Sequence, residues 1–142
     1  MAISMFRYDA CAIDKPLLEF IQKFYSLADD LSKMPEWANC FTENASLKRG
    51  VATVVGREAI LKTAIKNTKD LVYRRHNIEK IFPFGPGAPD DVMLCGKAAF
   101  ETKDGVKIEI ETAARIRFAR SDDGTIQIDL YQLYPILPVR PS

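Results

Sequence analysis

The stretch Val106-Lys107-Ile108-Glu109-Ile110-Glu111-Thr112-Ala113-Ala114-Arg115-Ile116-Arg117-Phe118 decides the fold. Val106, Ile108, Ile110, Thr112, Ala114, Ile116 and Phe118 fall on one face of an extended chain. Lys107, Glu109, Glu111, Arg115 and Arg117 fall on the other. A period of two held over that length predicts a strand with one packed and one charged face, the habit of antiparallel sheets. Asp104-Gly105 just before it is a hairpin signal, because such a turn needs positive φ, and it pairs this strand with residues 92–102. Asp122-Asp123-Gly124 turns the chain again, into a strand over 125–134 with Ile126, Ile128 and Leu130 set against Gln127, Asp129 and Tyr131. Upstream, residues 73–82 read as another strand, ended by Pro83-Phe84-Gly85-Pro86-Gly87-Ala88-Pro89.

Before residue 72 the spacing changes to that of helices. Asp14-Lys15-Pro16 is a helix start, with an acidic cap and a proline in the first turn. Leu17, Phe20, Ile21, Phe24, Leu27, Ala28 and Leu31 then recur at helical spacing. Ser32 and Pro35 open a short second helix through Trp37, Ala38 and Phe41. Residues 45–55 are β-prone and broken at Gly50. Gly56-Arg57-Glu58-Ala59-Ile60 opens a third helix to about Leu71, with Ile60, Ala64 and Leu71 on one stripe. Helices first and an antiparallel meander afterwards define an α+β domain. We expect an N-terminal arm over 1–13, one domain over 14–134 and a proline-rich tail over 135–142.

The 142 residues suit a single core. A net charge of +1 gives no reason to expect nucleic acid or an anionic membrane as partner. No apolar run approaches the ~18 residues of a membrane span, and none near the N-terminus suits a signal peptide. Cys11, Cys40 and Cys95 form no CxxC pair, which argues against zinc and thioredoxin-like chemistry and for reduced thiols in the cytoplasm.

His76 is the sole histidine. It cannot belong to a multi-histidine metal site, which leaves proton exchange near neutral pH as its open chemistry. Alternation puts it on a face with Ile78 and Phe82, pointing inward, with Arg75, Asn77 and Glu79 on the other face. The alternative is an imidazole hydrogen-bonded in a β-core.

Three segments together resemble the NTF2-like, or SnoaL-like, superfamily over residues 14–134. They are Trp37-Ala38-Asn39-Cys40-Phe41-Thr42-Glu43-Asn44-Ala45, Gly56-Arg57-Glu58-Ala59-Ile60 and Asp123-Gly124-Thr125-Ile126. The resemblance implies a cone-shaped (cystatin-like α+β) fold, three N-terminal helices packed in a strongly curved, mainly antiparallel sheet, and often a homodimer through the sheet. That superfamily spans ketosteroid isomerases, scytalone dehydratase, limonene-epoxide hydrolases, polyketide cyclases and the nuclear transport factor, so fold alone fixes no function.

Set on this sequence, the isomerase's general-base aspartate falls on Arg49 and its second acid near Ala114. The epoxide hydrolase's acids fall near Tyr131 and within Lys97-Ala98-Ala99. Neither chemistry fits. The dehydratase's catalytic histidine matches His76, although its second histidine has no counterpart. Tyr25, sixteen residues before Phe41, has the spacing of the isomerase's oxyanion-hole tyrosine; otherwise it completes the Leu18–Ile21–Ala28 stripe. Asp129 is the candidate acid partner of His76. On simple alternation it sits with Gln127 and Tyr131 on the polar face, paired with Arg115 or Arg117. The resemblance instead puts the Asp129, Tyr131 and Leu133 positions along the pocket, and a bulge would decide.

The sequence therefore leads to a cofactor-independent, metal-free lyase or isomerase, a dehydratase or cyclase acting on a hydrophobic carbonyl compound held in the cone. His76, Asp129 and Tyr25 are its expected catalytic residues, and Trp37, Phe41, Tyr131 and Arg49 its expected substrate contacts. The alternatives are a non-catalytic binding module for a small ligand or protein, and a dimeric scaffold.

Overall fold

A computed structural model describes residues 13–84 and 90–136. Residues 1–12 of the expected arm, with Cys11, the interior of the proline- and glycine-rich loop and residues 137–142 lie outside the described residues, while Ile13 is buried in the core. Helix α1 spans Lys15–Asp29, α2 Met34–Ala38 and α3 Arg57–Thr68, with a 3-10 turn at Leu31–Lys33. The strands are β1 Phe41–Arg49, β2 Ala52–Val55, β3 Leu71–Pro83, β4 Asp91–Thr102, β5 Lys107–Arg120 and β6 Ile126–Ile136. They form one curved sheet in the order β2-β1-β6-β5-β4-β3, in which only β1 and β6 run parallel. This is the expected α+β architecture. The second and third helices end earlier than predicted, because Phe41 and Leu71 each enter a strand.

Local chemistry accounts for the ends of α1. The Asp14 carboxylate accepts the Leu17 amide at 2.9 Å, which occupies a free donor of the first turn. Leu17, Leu18, Ile21, Phe24, Tyr25 and Ala28 are buried along one stripe facing the sheet. Phe24 sits in the middle of the core, with ring centroids 5.1 Å from Tyr25 and Tyr131, 5.6 Å from Trp37 and 5.8 Å from Phe41. Three of those four contacts are edge-on, an arrangement favoured by ring quadrupoles.

The alternation of β5 is realised. Ala114, Ile116 and Phe118 are buried, and Phe118 meets Phe20 of α1 edge-on at 5.9 Å. Val106 and Ile108, at the other end of the same face, are 49% and 42% exposed. Helix α1 fills the Phe118 end of the curved sheet and leaves the Ile108 end open. On the outer face Arg115 pairs with Asp91 at 2.8 Å and Arg117 with Asp129 at 3.0 Å.

Of the register shifts in the sheet, two reset faces that matter to the site. In β3 the register slips between Ile78 and Lys80, so Ile81 takes the inward position and Phe82 is exposed. The expectation that Phe82 shares the face of His76 is thereby corrected, while Ile78 keeps it. The Asn77 carbonyl stands where a Cβ on Gly96 would be, which excludes any side chain there. In β6 the partners jump from Phe118↔Ile128 to Arg117↔Leu130 and skip Asp129. Beyond that point Tyr131 and Leu133 face inward.

Candidate active site

Strand β3 delivers two inward side chains to the C-terminal end of α1. Arg74 Nε donates to the Ala28 carbonyl at 2.8 Å, Nη2 donates to the same oxygen, and Met34 Sδ lies 3.7 Å from Nη2. The guanidinium thus takes up a carbonyl that the helix end leaves free. Two residues on, His76 Nδ1 stands 2.6 Å from Asp29 Oδ1. The His76 backbone N–H also donates to that carboxylate, at 3.1 Å to Oδ1 and 3.0 Å to Oδ2. Asp29 accepts both bonds, so the ring proton belongs on Nδ1 and Nε2 carries the lone pair. No residue among those described bonds to Nε2.

His76 lines a cavity of about 370 Å3, within the ~300–1,000 Å3 of small-molecule sites. Its floor comes from the open end of the sheet, with Ala98, Phe100, Ile108, Ile110 and Thr112. Helix α3 forms one wall with Ile60, Thr63, Ala64, Asn67 and Thr68, and the predicted stripe of Ile60, Ala64 and Leu71 faces this space. Trp37, Tyr131, Arg74 and Arg49 complete it. The lining is largely apolar, as ligand pockets are.

Tyr131 is the phenol at the cavity. Its hydroxyl is 3.2 Å from that of Tyr25, which stands behind it and does not line the cavity. The Tyr25 ring packs 5.0 Å from the imidazole. Burial pushes the Tyr131 phenol up to about 12, against the lowering effect of the Tyr25 hydrogen bond and the Arg74 charge. Burial, and then Tyr131 itself, hold Tyr25 well above its ordinary value. Both are neutral hydrogen-bond donors at physiological pH. Burial also lowers the pKa of Arg74, against the pull of Asp29.

Four expected residues therefore meet at the cavity: His76, Trp37, Tyr131 and Arg49. Three do not. Asp129 is ion-paired with Arg117 on the outer face, because the β6 bulge turns Tyr131 inward without it. The carboxylate at His76 is Asp29. Phe41 is fully buried in the core and lines no part of the cavity; Arg57 Nε and Nη2 hold its carbonyl at 2.9 and 2.8 Å. Tyr25 reaches the site only through Tyr131. Asp29 and Arg74 went unread in the sequence, yet a signal existed. Asp29 and Asp30 end a helix with no basic residue in its last turn, where the dipole favours cations.

Among the described residues no cluster of His, Cys, Asp and Glu could hold a metal ion, and no helix is long and apolar enough to cross a membrane. Cys40 and Cys95 are free, and burial pushes the Cys40 thiol up.

The fold is NTF2-like. A candidate aromatic ring hydroxylase from Novosphingobium aromaticivorans superimposes with a TM-score of 0.73 at 16% identity, covering 87% of this chain and 88% of that one. A candidate SnoaL-like polyketide cyclase from Shewanella denitrificans gives 0.70 at 9% identity over 87% and 92%. Nuclear transport factor 2 from Cryptosporidium parvum gives 0.67 at 14% identity over 83% and 90%. No protein-family profile and no curated protein matches the sequence. Identities this low establish the fold alone, and these three differ in what they are said to do.

Proposed function

We propose that the protein is a small lyase or isomerase, of the dehydratase or cyclase kind, that moves a proton on a hydrophobic carbonyl compound held in the cone. The observation that carries this reading is the Asp29–His76 pair at 2.6 Å on the wall of an apolar cavity. Nε2 of His76 removes the proton α to the carbonyl. The imidazolium that forms is stabilised by Asp29, which also holds the ring in place through the backbone N–H. Tyr131 donates its O–H to the developing enolate oxygen, and Tyr25 donates to Tyr131 from behind. The proton on Nε2 then passes to a departing hydroxyl, releasing water, or to another carbon of the ligand, completing an isomerisation or ring closure. A positioned base of this type contributes ~10²–10⁴-fold to rate.

The protein acts in this reading in the cytoplasm as a homodimer packed through the outer sheet face, with no metal or cofactor in the reaction. Turnover tests it. Across a panel of aromatic and polyketide-like β-hydroxyketones, His76→Gln should lose about 10²–10⁴-fold in kcat while the variant stays folded. Full turnover by His76→Gln would leave the cone as a binding pocket only.

A further inference from the structure

The charged side chains around the cavity carry one sign. Arg49 and Arg74 are cations, the Tyr131 hydroxyl donates beside them, and no aspartate or glutamate is among the lining residues. Asp29, behind His76, is already engaged by the imidazole and a backbone amide. Trp37 Nε1 is itself closed off from the cavity, buried with no hydrogen-bond partner. Arg49, exposed at the end of β1, forms no ion pair among the described residues, whereas Arg74 is held by Ala28 and opposed by Asp29.

We propose that the ligand is an organic anion, an apolar skeleton bearing a carboxylate, and that Arg49 is the residue that selects it. This rests on the reading of the cone as the ligand site and adds the charge class of what enters. Register fixes the geometry. Leu47 pairs with Tyr131 across β1 and β6, and Arg49 pairs with Leu133. Arg49 is thus two residues further along the same face, ~6.5 Å of strand rise from the Tyr131 level. A ligand carbonyl at Tyr131 and a carboxylate at Arg49 are separated by roughly the length of one ring. The carboxylate stays at the open mouth, so it enters without being stripped of all its water. An amine or other cation meets like charge and no lining carboxylate to offset it.

Trp37 is the sole tryptophan and lines the cavity, so its emission reports occupancy directly. The test compares 3-phenylpropanoate with 3-phenylpropanamide, which match in shape and differ in charge, by Trp37 fluorescence excited at the red edge and by calorimetry. The acid should bind about tenfold tighter than the amide, with the preference shrinking as salt rises. Arg49→Met should remove the preference without loosening the amide, and Arg115→Met on the outer face should leave it intact. His76→Gln should keep it, which separates this claim from proton transfer. Equal binding of acid and amide, no binding of the acid at millimolar concentration, or a preference that survives Arg49→Met overturns the proposal.

Discussion

Asp29→Asn tests how the imidazole is held. In the native pair one carboxylate oxygen accepts from Nδ1 at 2.6 Å, and the His76 backbone N–H sits 3.1 and 3.0 Å from the two oxygens. The pair is sheltered, with side chains 14% and 24% exposed. A charge-assisted bond of this kind is worth about 1.5–3 kcal/mol, which biases the neutral ring towards the Nδ1–H tautomer by roughly 10- to 150-fold. A carboxamide cannot reproduce that. The backbone N–H demands an oxygen, and its NH2 group clashes with that donor unless it turns to Nδ1. Satisfying both requires an Nδ1 lone pair, which moves the proton to Nε2 and takes away the base. Because His76 is the only histidine, long-range 15N–1H correlation spectra give one unambiguous imidazole signal set. We expect Nδ1–H on the neutral imidazole of the native protein, and Nε2–H in Asp29→Asn. The variant should stay folded and lose turnover by ~10²–10⁴-fold. A native protein whose neutral imidazole carries its proton on Nε2 would refute the reasoning, whatever the activity.

Asp129→Asn should leave that tautomer and any turnover unchanged and cost about 0–1 kcal/mol in urea denaturation, since it removes only a surface ion pair with Arg117; a loss of activity there would restore Asp129 to the site. Tyr131→Phe and Tyr25→Phe should each cost about 1–3 kcal/mol by leaving a buried hydroxyl alone, and the double variant should cost less than their sum; simple additivity would mean the two phenols do not interact. The Tyr131 phenol also sets an alkaline limit. The folded protein keeps that proton up to about 12 while the unfolded chain releases it near 10.0, so in this window the folded state binds more protons and stability falls as pH rises. Phenolate absorbance at about pH 11 should count fewer than the chain's five tyrosines in the folded protein and all of them in urea.

The sequence carried the sheet well and the site unevenly, and the difference lies in the range of the information. In β5 each residue's face follows from its neighbours, so alternation read from Val106 to Phe118 is the alternation observed. His76 was oriented by the same local rule through Ile78, and the rule held because neither register shift of β3 falls between the two. Phe82 lies past the second of those shifts and Tyr131 past the one in β6, and parity counted through a skipped residue inverts. Nothing in the residue types at Glu79 or Asp129 announces a skip. The bulges arise because a curved sheet must absorb the mismatch between strands of unequal path length.

Asp29 was hidden for a different reason. It lies 47 residues from His76, and no periodicity links a helix end to a strand. What the sequence does hold is a local conflict, an acidic pair at the negative end of the α1 dipole. Sequences are generally consistent at each level, and a conflict marks a place where tertiary partners or function override local preference. Here the override is identifiable: Arg74 covers the helix carbonyl, and His76 engages the carboxylate from both its backbone and its ring. Arg74 and His76 are two apart on one strand face, so a single inward-facing pair both offsets the misplaced acid and orients the base. Replacing Asp29 with lysine would suit the isolated helix better and the folded protein worse.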